Sequence, residues 1–413
     1  MNIVGLIVEY NPLHNGHAYH FAEAKSLAGA DAVVAVMSGD FLQRGEPAIV
    51  SKWARTEMAL HLGADLVLEL PVAYAVQPAE WFAHGAVALL EATGVVTHLC
   101  FGSEAGALDQ LQPLAELLAD ESAALKAAVA EELATGASYP AAYAAAAARA
   151  CAGPGGDAAA ARALLMQPNN SLGLHYLIAL RRLQSGIAPL TLRRRAAGYH
   201  DAAPRDAAIA SATAVRALLA GDGGLEAAAP YLPPSTTAIL AREFAAGRGP
   251  VTWDNFAQQL FHRLLLCPPE ELAAHYEMNE GLEYRIKKLL PQLEEPSVMQ
   301  LLKQLKTKRY THTKLQRTLL HVLLQHSRTA LSPVSLAGGP GYIRVLGFSK
   351  TGRELLKRMK KTATLPVLTR VAELSDPQLE LDLQASAVYA NALPGHDTGD
   401  LFRDYRQPPI TVQ

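Results

Sequence analysis

With 413 residues, 50% of them hydrophobic, and a net charge of −2, the chain is long enough for two or three well-packed domains and too apolar to be disordered. No run approaches the roughly 18 to 20 apolar residues of a membrane helix, and Met1-Asn2 offers no basic stretch ahead of the short apolar start. Cys100, Cys151 and Cys267 are isolated, so neither a disulfide framework nor metal-ligand spacing is present, and a reducing cytoplasm is the expected setting. The small net charge hides an asymmetry: residues 281–361 hold 17 Lys and Arg against 4 Asp and Glu, a local +13 that leaves −15 for the rest. A basic segment on an acidic body points to a polyanionic partner, a solvated helix face being the plainer alternative.

The first hundred residues alternate strand and helix patterns, as a parallel α/β sheet requires. An apolar strand at residues 2–9 leads through Glu9-Tyr10-Asn11-Pro12-Leu13-His14-Asn15-Gly16-His17 into a helix ending near Leu27. Strands follow at 31–37, 65–70 and 97–101, with helices at 53–62 and 79–91 between them. Ligand loops belong at the carboxyl ends of such strands, where His14, Asp40 and Gly102 fall. An alanine-rich helical stretch, 107–152, ends at Gly153-Pro154-Gly155-Gly156. A helix at 172–183, a strand at 190–196 and a helix at 213–220 resume the pattern. Glycines at 221–224 and prolines at 230–234 mark a boundary, so we expect a nucleotide-binding domain over residues 1–225 and a mainly helical region over 226–413.

His14 and His17 sit where a first helical turn leaves N–H groups unpaired, a setting that suits phosphate, unless the rings merely cap the helix. Gly16 lets backbone approach such an anion without an intervening side chain. Asp40, Gln43, Arg44 and Lys52 are further reactive-looking loop residues, although a loop carboxylate is as often a turn former. No His, Cys and carboxylate cluster suggests a dedicated metal site. Magnesium arriving with a triphosphate is compatible with that. Lys306, Lys308, Arg309 and Lys314 surround Tyr310 and His312, a mixture suited to RNA phosphates and unpaired bases, and a second basic cluster runs from Lys350 to Lys361.

His14-Asn15-Gly16-His17 after a first strand, together with Ile209-Ala210-Ser211-Ala212-Thr213-Ala214-Val215-Arg216, resembles the nucleotidyltransferase superfamily. Val8 to His17, Met37 to Gly45, Gly63 to Pro71, Gln167 to Gly173, Arg194 to Asp201, Lys308 to Thr311 and Val345 to Ser349 resemble, within it, the bacterial tRNA-Met cytidine acetate ligases. The resemblance implies a Rossmann-type ATP domain, acetyl-adenylate formation from acetate and ATP, and acetyl transfer to the wobble cytidine of elongator tRNA-Met. It implies catalytic roles for His14 and His17. ATP contacts would extend over Ile7, Val8, Glu9, Tyr10, Asn11, Pro12, Leu13, His14, Asn15, Gly16, His17, Ala18, Tyr19 and His20, with Gly102, Asn169 and Arg194 or the adjacent Arg195 completing the nucleotide site. Ser211, Thr213 and Arg216 would hold pyrophosphate, although Ala210 and Ala212 stand where relatives often have serine, which leaves plain N-capping as the competing role. A small-molecule adenylyltransferase would share the histidine motif without needing the basic region, and a catalytically inert tRNA-binding protein could retain the pocket.

Overall fold

The computed structural model describes residues 1–120, 122–151, 158–194 and 209–412. Its centre is one sheet of eight strands, β1 (Ile3–Val8), β2 (Ala32–Ser38), β3 (Leu66–Leu70), β4 (His98–Ser103), β5 (Ala188–Arg193), β6 (Ile343–Phe348), β7 (Val367–Leu368) and β8 (Ile410–Thr411). The spatial order is β5-β4-β1-β2-β3-β6-β7, with β8 beside β6. The first five strands are mutually parallel, as the alternating pattern required. The chain builds outward from β1 to β3, then returns to lay β4 and β5 on the other side. That reversal makes the carboxyl end of β1 the topological switch point, where open α/β sheets bind ligands.

Along β1, Ile3 faces one core with Val34, Leu66, Leu90 and Phe101. Val4 and Leu6 face the other, with Trp53, Met58 and Leu240, so the two-residue period of a strand supplies both layers. The crossovers are α1 (Asn15–Leu27), α2 (Lys52–Leu62), then α3 (Val72–Ala75) with α4 (Ala79–Ala92). The alanine-rich stretch forms α5 (Gln112–Ala119), α6 (Ala123–Ala134), α7 (Tyr139–Cys151) and α8 (Ala158–Leu165). Next come α9 (Pro168–Arg182) and α10 (Ala212–Ala220). Among the described residues no helix is long and apolar enough to cross a membrane.

The boundary near residue 225 is not a separation in space. β6, β7 and β8 all come from beyond it, and β6 pairs antiparallel to β3, with Leu66 opposite Phe348 and Glu69 opposite Arg344. The sheet is therefore mixed. Covering the edge of β3, which would otherwise present unpaired N–H and C=O groups, is the physical reason a distant segment returns. The helices between build a third core in which Phe256, Leu301, Leu302 and Leu320 pack against Phe41, in the loop after β2, and Val72, the first residue of α3 after β3. The helical lobe thus rests on the same end of the sheet as the switch point.

Candidate active site

At the end of β1 the chain turns sharply. Tyr10 has φ +51°, a conformation uncommon for a residue with a side chain, and Asn11–Pro12 is cis. The turn is held from three sides. The Asn11 side-chain oxygen accepts the Ile49 N–H at 2.8 Å, Arg216 donates to the Asn11 carbonyl at 3.0 Å, and Arg55 donates to the Glu9 carbonyl at 2.8 Å. Arg55 is wholly buried and also donates to the carbonyls of Ser38, Gly39 and Val50, joining the loops after β1 and β2 through one guanidinium.

His14 is the N-cap of α1. Its Nδ1 accepts the Gly16 N–H at 3.1 Å, and the His17 Nδ1 accepts the His14 N–H at 3.3 Å, so each ring satisfies a backbone donor that a helix start leaves unpaired. The rings stack with centroids 3.8 Å apart. Burial, reinforced by Arg194 and Arg216, pushes the His14 imidazole down to about 3. Burial, then His14 and Arg194, pushes His17 well below its ordinary value. A neutral imidazole carries one proton, and here Nδ1 is already an acceptor; the proton must lie on Nε2. Capping and ligand binding are therefore not alternatives. Each ring caps with one nitrogen and keeps an uncharged N–H donor on the other.

Gly16 has a reason beyond access for phosphate: a Cβ there would stand 2.9 Å from the His14 Cε1 and 3.0 Å from its Nδ1, displacing the stacked ring.

These histidines border a cleft of about 430 Å³ at the switch point. Of the expected nucleotide contacts, Ile7, Val8, Glu9, Tyr10, Gly16, Tyr19 and His20 line it as well, whereas Asn11, Pro12, Leu13, Asn15 and Ala18 do not. Asn11 and Leu13 are buried in the turn, and the Asn15 amide donates to the Pro230 carbonyl at 3.1 Å. The His20 Nε2 is buried without a hydrogen-bond partner among the described residues, and burial then Arg194 push its ring to about 4. Gly102, Asn169 and Arg194 form the β4–β5 wall, while Arg195 lies outside the described residues. Glu104 accepts the Asn169 and Asn170 backbone N–H groups at 3.2 and 2.7 Å and so caps α9, fixing Asn169 at the wall. Asn170 is buried, its side chain bridging the Ala105 N–H and Gln167, which leaves Asn169 as the member of the pair facing the cleft.

Ser211 and Thr213 line the cleft at the start of α10, where Ser211 accepts the Ala214 N–H at 3.0 Å. Capping is thus present. Arg216 does not line the cleft: it is tied to the Asn11 carbonyl and stands 3.5 Å from Glu46. Asp40 and Lys52 lie elsewhere too. Asp40 accepts the Lys52 N–H at 2.7 Å, and the Lys52 ammonium is fully buried among Glu69, Asp404 and the Ser386 hydroxyl at 2.7, 2.7 and 2.8 Å. The β3–β6 pairing brings Arg344 to 2.9 Å from Glu69 and 3.1 Å from Asp404. This buried network fastens the C-terminal segment to the sheet.

The other wall joins two loop residues singled out in the sequence to a helix that no local pattern marks. Gln43 and Arg44 from the loop after β2 meet Thr313 and Arg317 of the helix His312–Leu323, so residues three hundred positions from β1 close the cleft. Gly45, at φ +78°, makes the approach possible: a Cβ there would clash with the Arg317 backbone nitrogen. Arg317 is held by Glu277 through two 2.8 Å hydrogen bonds.

The first basic cluster consequently adjoins this mouth. Lys303, Lys306, Lys308 and Arg309 are exposed. Arg309 forks onto Glu280 at 2.7 and 2.5 Å, and the Lys314 ammonium meets Asn279 at 3.0 Å and the Tyr310 ring at 5.0 Å. The second cluster lies at the opposite end of the sheet. Ser349, the cap of helix Lys350–Thr362, bonds Asp65 just before β3, and Thr362 bonds the Thr93 carbonyl ahead of β4, both at the amino ends of the parallel strands. The two clusters do not form one continuous surface.

The HIGH Nucleotidyl Transferase family model matches residues 1–400. The tRNA(Met) cytidine acetate ligase of Lysinibacillus sphaericus is 40% identical over 99% of this chain and 100% of its own. That of Bacillus licheniformis is 42% identical over 95% and 93%. The crystal structure of Thermotoga maritima TmcAL without ligand superposes with a TM-score of 0.93 at 36% identity, covering both chains completely. The same protein bound with alpha-thio ATP gives 0.90 at 35% identity over 100% of this chain and 99% of that one. With neutral histidine donors at the switch point and full-length similarity on both counts, the chain belongs to the tRNA(Met) cytidine acetate ligase family of HIGH nucleotidyl transferases.

Proposed function

We propose that this protein activates acetate with ATP as acetyl-adenylate and then acetylates the exocyclic amine of the wobble cytidine of elongator tRNA-Met, acting in the cytoplasm. The observation that carries the chemistry is that His14 and His17 line the switch-point cleft with both Nδ1 atoms accepting backbone N–H groups, which leaves each uncharged ring an Nε2–H to donate. When an acetate oxygen attacks the α-phosphorus, negative charge grows on the phosphoryl oxygens and on the departing pyrophosphate. Fixed N–H donors aimed there stabilise that charge without reorganising. The relative bound with alpha-thio ATP supports a nucleotide in this cleft.

In this reading Gly102, Asn169, Arg194 and the orphaned His20 Nε2 take the nucleoside side, and the start of α10, with Ser211 and Thr213, receives the pyrophosphate. Among the described residues no group of three His, Cys or carboxylates is placed to hold a metal ion, so magnesium would come with the triphosphate. Lys306, Lys308, Arg309 and Lys314 would meet tRNA phosphates beside the cleft, Arg309 and Lys314 by exchanging Glu280 and Asn279 for phosphate oxygens.

The test is direct. Purified protein incubated with labelled acetate, ATP and bacterial tRNA should place label in RNA as acetylated cytidine, with pyrophosphate released. Label absent from RNA, under conditions where the tRNA binds, refutes the ligase reading.

A further inference from the structure

Resting on the ligase reading, the second half-reaction needs something the histidines cannot supply. The N4 amine of cytosine is a weak nucleophile because its lone pair is delocalised into the ring. As that nitrogen attacks the acetyl carbonyl, the new C–N bond forms, the bond from the acetyl carbon to the AMP oxygen breaks, and one N4 proton must leave. His14 and His17 cannot take it, since their Nδ1 atoms already accept backbone N–H groups and their Nε2 atoms carry protons. His20 stands on the opposite wall, where a Cβ on Gly102 would lie 3.7 Å from its Cδ2, and burial, then Arg194, lower its ring to about 4, which leaves it a weak base. Arginines are not bases at neutral pH, and burial raises the Tyr10 and Tyr176 hydroxyls far from it.

Among the described residues lining the cleft, one carboxylate remains, Glu9. It follows β1 directly, so it sits at the middle of the cleft, next to the histidine turn and on the side of the loop after β2. One carboxylate oxygen accepts the Gln43 N–H at 2.7 Å; the other has no partner among the described residues. Its backbone is fixed by Arg55. A carboxylate in a pocket otherwise built for a polyanion opposes phosphate binding, so its presence there needs a use. Arg44, Thr313 and Arg317 close the same side of the cleft, beside the exposed lysines, which is the route for an unpaired base.

We infer that Glu9 is the general base of acetyl transfer, accepting the N4 proton of the wobble cytidine as AMP departs and later releasing it to solvent. Burial, opposed by the Gln43 hydrogen bond, raises the Glu9 carboxyl above its ordinary value; Glu46 pushes it the same way, and Arg44 and Arg55 pull it down. Tyr176, facing it from α9, is uncharged, since burial raises its hydroxyl far above neutrality. A carboxylate made more basic in this way matches the task.

The experiment separates the two half-reactions in Glu9→Gln. Glutamine keeps an oxygen for the Gln43 N–H, so the loop anchor is retained and only the basic oxygen is lost. Acetate-dependent ATP–pyrophosphate exchange and single-turnover transfer of labelled acetyl from enzyme-bound adenylate to tRNA-Met are each measured from pH 5.5 to 8.5. Transfer should fall about 10²- to 10⁴-fold, the usual range for losing a general base, and at least fiftyfold further than exchange. Wild-type transfer should rise with pH to a plateau, and the variant should lack that limb. Glu9→Asp, which keeps a base, should recover part of the rate and the limb. Equal loss of exchange and transfer would assign Glu9 to the phosphates or their cation and overturn the inference. Unchanged transfer would overturn it too, whereas absence of exchange in the wild type would instead overturn the ligase reading on which it rests.

Discussion

His14→Asn isolates what the first histidine does. Asparagine is a good N-cap and places its side-chain oxygen where the His14 Nδ1 accepts the Gly16 N–H, so the start of α1 should survive. What disappears is the Nε2–H donor. Removing one preorganised donor from developing negative charge costs about 3–4 kcal/mol, so acetate-dependent exchange should fall roughly 10²- to 10³-fold. The same variant reports the charge state. The folded pKa of His14 is depressed to about 3, so below the unfolded value near 6.5 the unfolded chain binds a proton that the folded ring refuses. Stability from this group is therefore intact above pH 6.5 and lost progressively as pH falls toward 3. One pH unit below 6.5 the loss is about 1.4 kcal/mol. Urea unfolding at pH 7.5 and 5.5 should show the wild type losing about that much more than the variant, with unchanged m-values. In the pH profile of exchange, any inflection shared by both proteins belongs to the nucleotide or to other groups. An inflection between pH 6 and 7 present in the wild type and absent from His14→Asn would mean a charged imidazolium and would refute the neutral-donor assignment.

Gly16→Ala should leave stability within about 1 kcal/mol, since alanine suits a helix better than glycine, yet lower exchange at least tenfold because its Cβ displaces the His14 ring; equal rates would remove the steric argument. Lys52→Met leaves Glu69 and Asp404 facing one another with Arg344 as their shared cation. A loss of about 3–5 kcal/mol should appear in urea unfolding, with early proteolytic cleavage around Arg403–Arg406 as that segment detaches. Replacing Lys303, Lys306 and Lys308 by glutamine should reduce the slope of log affinity for tRNA against log salt by about 0.7 to 0.9 for each phosphate no longer neutralised. The same change at Lys357, Lys360 and Lys361, at the far end of the sheet, should leave exchange unaffected and tests by nitrocellulose retention whether that end also carries RNA.

The parts of the fold written as local periodicity are legible in the sequence. The apolar runs at residues 31–37 and 65–70 predict strands, which occur as Ala32–Ser38 and Leu66–Leu70, because buried parallel strands are continuous apolar runs bounded by polar loops. The histidine turn is legible for a related reason: its function is performed within four residues, and capping fixes both rings. What escapes depends on where remote segments return. Nothing local to Thr313 or Arg317 distinguishes a residue that closes the cleft from one on a solvated helix, and their position follows from Gly45 accepting that helix at close range. Arg55 lies in a stretch whose helical character is plain and Lys52 directly before it, but helical period does not say which charged residue points inward.

One trace of that hidden arrangement is nonetheless present. Glu69 interrupts the strand Leu66–Leu70, and Arg344 interrupts Ile343–Phe348, each the lone charge in an apolar run. A charge in a fully buried strand must be paired or bear a desolvation cost of several kcal/mol. Two such strands carrying opposite charges satisfy each other directly as neighbours in one sheet, and these two are paired, with Glu69 opposite Arg344. The apolar strand with one misplaced charge therefore encodes a long-range pairing, 275 positions apart here, that composition alone would assign to separate domains. The same reasoning applies to Glu9. It stands at the end of an apolar strand, where one carboxylate oxygen anchors the loop after β2 through the Gln43 N–H and the other is left for the general-base role.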